Sequence, residues 1–203
     1  MIYIFMGGPA TGKGTRSEIL AKHLGIPHIS TGEMLRDASE SDKKMAKELS
    51  KGKLVSDEEI TELLRERIEE EDCKKGFVLD GYPRTINQVY ELDELLKEFG
   101  RSITKVFELV IDEELAYRRI VERKKCENCG KDYGLDFPPK VDGICDDCGH
   151  ALTSRADDTK ETLKARIETY KKNSKEILDY YKEKGLLKTV DASNHPERVV
   201  EDI

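Results

Sequence analysis

At 203 residues, with 38% charged and 37% hydrophobic side chains, the chain is long enough for one buried core with excursions, and its interspersed charges without a low-complexity run describe a globular protein rather than a disordered one. A formal net charge of −7 argues against a protein that works by coating nucleic acid, because such binding draws its affinity from Lys and Arg. No apolar stretch approaches the roughly 20 residues of a membrane helix, and no basic leader precedes the opening MIYIF, so a cytoplasmic protein without membrane partners is expected.

The run MIYIFM reads as a strand buried on both faces. A glycine-rich turn follows, then a helix from Lys13 to Leu24 with Ile19, Leu20 and Leu24 on one face and Gly25 as its stop. The stretch HISTGEMLRDA predicts a second short strand and a helix capped by Ser30 or Thr31. Ser56 or Asp57 caps the next helix, whose core face is Ile60, Leu63, Leu64 and Ile68. GFVLDGYPR is a third strand ending at Asp80, followed by helical spacing of Ile86, Val89, Leu92, Leu96 and Phe99. KVFELVID is a fourth strand, with Glu108 unexplained in its middle, and EELAYRRIVERK a long helix.

Residues 124–154 change character, with four cysteines and six Gly or Pro and little helical periodicity, as in an inserted lobe. A long helix capped by Asp157 or Asp158 follows, with Leu163, Ile167, Tyr170, Ile177 and Tyr181 inward, then a last strand, LLKTVDA, and a short tail. Alternating strands and helices predict an α/β fold, a doubly wound parallel sheet with ligands at the carboxyl ends of its strands.

Three features carry chemistry. Residues 7–13 fit G-x-x-x-x-G-K, in which small residues let backbone N–H groups face phosphate oxygens while Lys13 reaches the outer phosphates. Gly14 stands where that pattern places Ser or Thr, and the hydroxyl is displaced to Thr15, which predicts Mg2+ held mainly by phosphates and water. Asp80, at a strand end beside the loop, can orient that water shell.

Second, Arg119 and Arg123 stand one helical turn apart, and Arg84, Arg155 and Arg166 flank the same lobe. Guanidinium forks suit the charge of a phosphoryl-transfer transition state. Third, Cys126, Cys129, Cys145 and Cys148 form C-x2-C-x15-C-x2-C, a spacing that suits tetrahedral Zn2+, with a rubredoxin-like iron site open to the same ligands. Residues 126–150 hold two Lys against six Asp or Glu, a poor grip for a polyanion, so the metal is expected to substitute for a core too small to build. Cys73 and the four histidines suggest no site.

With these motifs in hand, nearly the whole chain resembles the adenylate kinases, in their bacterial long-lid form with a zinc-binding lid. GGPATGKGT looks like the family's phosphate loop, ISTGEMLR its acceptor helix, and GFVLDGYPRTINQ its most diagnostic stretch. RRIVERKKCENCG and TSRADDTKETLKARI resemble the two edges of the lid. The resemblance implies reversible phosphoryl transfer from ATP to AMP, giving ADP, by a monomer with Mg2+ and a structural Zn2+. It implies a five-stranded P-loop core of residues 1–29, 56–123 and 157–203, an AMP-binding lobe of 30–55 and a zinc-binding lid of 124–156.

By the same resemblance, Thr31, Arg36, Lys53, Leu54, Val55, Gly81, Tyr82, Pro83, Arg84, Gln88, Arg155 and Arg166 hold AMP. ATP falls to Ala10, Thr11, Gly12, Lys13, Gly14, Thr15, Arg119, Arg123, Asp132, Tyr133 and Asn194. Lys13, Arg84, Arg123, Arg155 and Arg166 meet the transferring group, Asp157 and Asp158 hold the closed lid, and Asp80 orients water on Mg2+. The sequence departs from the family at Ala10 and Thr11, which stiffen the loop, at Glu33, where Asp is usual, and in the short tail after Asn194. Gln88 can pair with the amino edge of adenine, because an amide carries both a donor and an acceptor. The nearest rival is another nucleoside monophosphate kinase, and a more distant one is a zinc-ribbon module that kept a nucleotide switch.

Overall fold

The computed structural model describes residues 1–41, 56–154 and 158–201. In chain order these form β1 (Ile2–Gly7), α1 (Lys13–Leu24), β2 (His28–Ser30), α2 (Thr31–Ser41), α3 (Asp57–Ile68) and β3 (Phe77–Asp80). Then come α4 (Ile86–Glu98), β4 (Lys105–Val110), α5 (Glu113–Val121), β5 (Lys124–Cys126), β6 (Asp132–Tyr133) and β7 (Leu152–Thr153). The chain closes with α6 (Lys160–Glu183), β8 (Leu187–Asp191) and α7 (Pro196–Glu201).

Five strands pair in parallel in the order β2-β3-β1-β4-β8. Side chains alternate across β1, so Ile2, Ile4 and Met6 pack with Ile60, Leu64, Val89, Leu92 and Ile177. Phe5 turns the other way, onto Leu20, Val78, Phe107 and Val190. Both faces are therefore covered by helices, which is why β1 reads as an unbroken apolar run. The chain leaves β1 at the centre of the sheet, where successive strands depart to opposite sides, and the glycine turn emerges there.

Several local expectations shift. Ser56 caps α3, accepting from Glu59 N at 3.3 Å, while the Glu59 carboxylate accepts from Ser56 N at 3.2 Å. The buried face of α1 is Arg16, Ser17, Leu20 and Ala21, with Ile19 and Leu24 only half-buried. The predicted cap of α6 at Asp157 or Asp158 gives way to Thr159, which accepts from Thr162 N at 3.2 Å because Asp158 is engaged by Arg123. Glu108 finds its reason in the sheet, where its carboxylate accepts from Thr189 Oγ1 at 3.0 Å on the neighbouring strand.

The helix expected to run through the start of the lobe stops at Val121, since Lys124–Cys126 is drawn into a second sheet. That sheet is three-stranded and antiparallel, β6-β5-β7, pairing Lys124 with Tyr133 and Lys125 with Thr153. Among the described residues, the buried cluster beside it consists of Cys126, Tyr133 and Cys145. Among the described residues, no helix is long and apolar enough to cross a membrane.

Candidate functional site

The turn after β1 closes on itself. Lys13 Nζ donates to the carbonyls of Gly7 at 2.9 Å and Gly8 at 2.8 Å, and Thr11 Oγ1 donates to Gly8 O at 2.9 Å, the stiffening expected of a hydroxyl at that position. Ala10 stands at φ 63, a left-handed backbone that costs a non-glycine residue about 1–3 kcal/mol and marks a conformation held for a purpose. Gly14 and Thr15 lie in the first turn of α1, whose amide groups face outward at the positive end of the helix.

Beside the loop, β3 delivers Asp80, paired in register with Phe5. One oxygen, Oδ2, lies 3.5 Å from where a side chain on Gly14 would begin, and the other, Oδ1, is buried without a partner. A buried carboxylate oxygen left unpaired costs free energy unless a donor arrives, and a metal-bound water is such a donor. The residues therefore fit Mg2+ held through water.

Lys13 and Arg84 both feel this carboxylate, and two further arginines act on Lys13. Desolvation lowers the Lys13 pKa to about 8; Asp80 opposes the fall, and Arg84, Arg166 and Arg123 deepen it. The Arg84 pKa is also lowered, first by desolvation, with Asp80 raising it and Arg166 lowering it. Like charges that depress one another, with one carboxylate to offset them, make a site that favours an anion. Arg84 Nε is braced by Gly81 O at 2.6 Å. Gly81 itself sits at φ 82, and a side chain there would begin 2.9 Å from Thr31 Oγ1 and 3.2 Å from the Arg84 guanidinium. Thr31 Oγ1 donates to Asp80 O at 3.3 Å, so the second strand's exit is tied to the third's.

Tyr82 and Pro83, joined by a cis peptide bond, are buried below this turn, with Tyr82 OH 2.8 Å from Thr61 Oγ1. Gln88 is 2% exposed, its carbonyl accepting from Arg84 N and its amino group donating to Asp57 Oδ1, both at 2.6 Å.

Arg119 and Arg123, expected to share a helical face, part company because the helix ends between them. Arg123 Nε donates to Asp158 Oδ2 at 2.8 Å, tying the residue that enters the cysteine lobe to the one that leaves it. Arg119 instead donates to Ala192 O at 2.9 Å and pairs with Asp136 at 3.1 Å. A residue that the sequence did not single out lies with it. Arg16, fully buried, donates to Thr11 O at 2.9 Å, Ala192 O at 2.9 Å and Asn194 O at 2.8 Å, joining the phosphate-type loop to the tail. The available signal was its position four residues before Leu20, on the core face of α1. Ser17, equally buried, meets His28 Nε2 at 3.0 Å.

Tyr133 is buried in the cysteine lobe, where its hydroxyl lies 3.3 Å from Cys145 Sγ and accepts from Asp146 N at 2.7 Å, leaving its ring no free face for a ligand. Asp132 stands exposed on the adjoining strand position. The sulfurs of Cys126, Cys129, Cys145 and Cys148 all lie within 4.8 Å of one another, and four thiolates about 2.3 Å from a tetrahedral metal would lie about 3.8 Å apart. Each knuckle folds alike, Gly130 N donating to Cys126 O at 2.8 Å and Gly149 N to Cys145 O at 2.9 Å. The group can hold one metal ion.

Lys53, Leu54, Val55, Arg155 and Asp157 fall outside the described residues, as does the side chain of Arg36, whose backbone lies in α2.

A family model described as adenylate kinase matches residues 5–186. The adenylate kinase of Archaeoglobus fulgidus is 44% identical over 208 aligned positions, covering 100% of this chain and 96% of that protein. Those of Caldanaerobacter subterraneus subsp. tengcongensis and Staphylococcus epidermidis are also 44% identical, each over 100% of this chain and over 94% and 97% of their own lengths.

Proposed function

Because the chain belongs to the adenylate kinase family, whose members move a phosphoryl group reversibly between ATP and AMP, we propose how its own residues divide that work. The amides of residues 10–15 cradle the β- and γ-phosphates of ATP, and Lys13 leaves the carbonyls of Gly7 and Gly8 to follow the γ-phosphoryl group. Arg84, Arg123, Arg155 and Arg166 spread over the oxygens whose charge grows in transfer. Asp80 would hold Mg2+ through water by its unpartnered oxygen, and the ion would supply charge neutralisation to the triphosphate.

Thr31, Arg36, residues 53–55, Gly81, Tyr82, Pro83, Arg84 and Gln88 seat AMP in line with the donor. The phosphate of AMP is already anionic at neutral pH, so no strong general base is required, and alignment, charge neutralisation and exclusion of water remain. Arg119, Asp132, Asn194 and the backbone of Tyr133 face the ATP side. The core is residues 1–29, 56–123 and 157–203, over which an acceptor lobe of 30–55 and a lid of 124–156 close, with Asp157 and Asp158 holding the lid shut. The four cysteines hold Zn2+, which stands in for the core that so small a lobe lacks. The protein acts as a cytoplasmic monomer on free nucleotides, without nucleic acid or membrane partners, in keeping with its net charge of −7.

The observation that carries this reading is the gathering of Arg84, Arg123 and Arg166 about Lys13, with the Asp80 carboxylate acting on both Lys13 and Arg84. Its test offers AMP, GMP, CMP and UMP separately to the metal-analysed protein with Mg2+ and ATP, and separates the products by chromatography. ADP forming with AMP alone, and ATP plus AMP forming from ADP, is the expected result. Turnover with a pyrimidine acceptor would overturn the roles of Thr31 and Gln88, and no transfer to any acceptor would overturn the reading whole.

A further inference from the structure

Gln88 can read an adenine only if its amide is held the right way round, and we propose that Asp57 sets that orientation and so governs the choice between adenine and guanine acceptors. The inference rests on the reading that Gln88 meets the acceptor base. An amide is symmetrical in shape but not in chemistry, and its two neighbours here decide the matter. Asp57 Oδ1, a carboxylate oxygen, can only accept, so the end 2.6 Å from it is the amino group. Arg84 N can only donate, so the end 2.6 Å from it is the carbonyl.

The carboxylate is itself fixed. Thr85 Oγ1 donates to Asp57 Oδ2 at 3.1 Å while accepting from Gln88 N at 3.2 Å as the cap of α4. Asp57 also opens α3, where the positive helix end favours its charge. With Gln88 only 2% exposed, a turned amide would find little water to replace the bonds it lost.

Once oriented, the amide keeps one lone pair on its carbonyl and one hydrogen on its amino group. Adenine offers the complement, an amino donor beside a ring-nitrogen acceptor. Guanine offers O6 as an acceptor beside an N1–H donor or the N7 acceptor, and its Watson–Crick edge requires the amide reversed. Reversal would set the Gln88 carbonyl against the Asp57 carboxylate, two acceptors of which one is charged, and the Gln88 amino group against Arg84 N, two donors. Asp57 thus acts as a positioning residue whose charge rejects the wrong purine without touching it.

Asp57→Asn keeps size and shape but supplies an amide that can turn with Gln88, lifting the stronger, charged of the two constraints and leaving only that of Arg84 N. The ratio of kcat/KM for AMP over GMP, with ATP as donor, is expected to fall about tenfold or more. Activity with GMP should rise in absolute terms, which loss of structure could not produce, and KM for ATP should stay put. Gln88→Ala and the double variant separate the levels. If Gln88→Ala lowers the ratio and Asp57→Asn then adds nothing, Asp57 acts through Gln88 as stated. An unchanged ratio in Asp57→Asn, with Gln88→Ala still lowering it, overturns the inference and spares the role of Gln88. An unchanged ratio in Gln88→Ala overturns both.

Discussion

Raising the pH should loosen the hold on ATP through one proton at Lys13. The pKa of this lysine is lowered to about 8 by desolvation and by the nearby Arg84, Arg166 and Arg123, against the pull of Asp80. A bound triphosphate surrounds it with acceptors and negative charge, returning it to at least the ordinary value of 10.5. Between those two values only the charged form binds well, so affinity falls about tenfold, or about 1.4 kcal/mol, for each pH unit. Kd should rise about 50-fold or more from pH 7 to pH 10. At pH 8.5 roughly three quarters of the free lysines are neutral, and binding should draw in about that fraction of a proton.

Calorimetric titration with ATP at pH 8.5, in two buffers of different ionisation enthalpy, reads the uptake directly. Lys13→Met should abolish it. No uptake in the unaltered protein, with a Kd flat between pH 7 and 9.5, would mean the lysine was fully charged beforehand and the cluster imposes no shift. The same shift has a sign for stability. Since the folded value lies below the unfolded one, keeping this cation costs stability in full below pH 8, and the cost fades as pH rises toward 10.5.

Three further outcomes are expected. Cys145→Ser should lose bound zinc by elemental analysis and most transfer activity, yet keep the main thermal transition, because the lobe's buried cluster is separate from the two that cover the sheet. Gly81→Ala forces a side chain into φ 82 at 2.9 Å from Thr31 Oγ1, costing about 1–3 kcal/mol by denaturant unfolding and raising KM for AMP more than for ATP. Arg16→Met removes the donor shared by Thr11, Ala192 and Asn194, and at about 1.5–3 kcal/mol for a bond to a charged group it should lower Tm and weaken ATP binding, while KM for AMP holds.

What the sequence made legible is what is local. Gly12, Lys13 and the strand before them lie within a few residues of one another, so strand, turn and helix could be read as a unit, and the cysteine knuckles likewise. Asp80 at a strand end was equally plain, because apolar residues stop there. Arg16 was not, since its partners Ala192 and Asn194 stand at the far end of the chain and an arginine on a helix ordinarily points to water. The hold of Asp57 on Gln88 was hidden for the same reason, each residue looking complete as a helix-start or helix-face residue by itself. The cap of α6 was misplaced by one or two residues, because Asp158 is a good cap only where no Arg123 competes for it.

That same ion pair has an architectural consequence. Arg123 and Asp158 bring together the two points at which the cysteine lobe leaves and rejoins the main chain, and Lys125 pairs with Thr153 just inside them. A segment whose ends already meet adds little to the closure entropy of the fold around it, however long it is. The lobe is thus joined through one narrow neck, and a replacement that presents its ends at the same spacing is expected to leave the two clusters that cover the sheet in place.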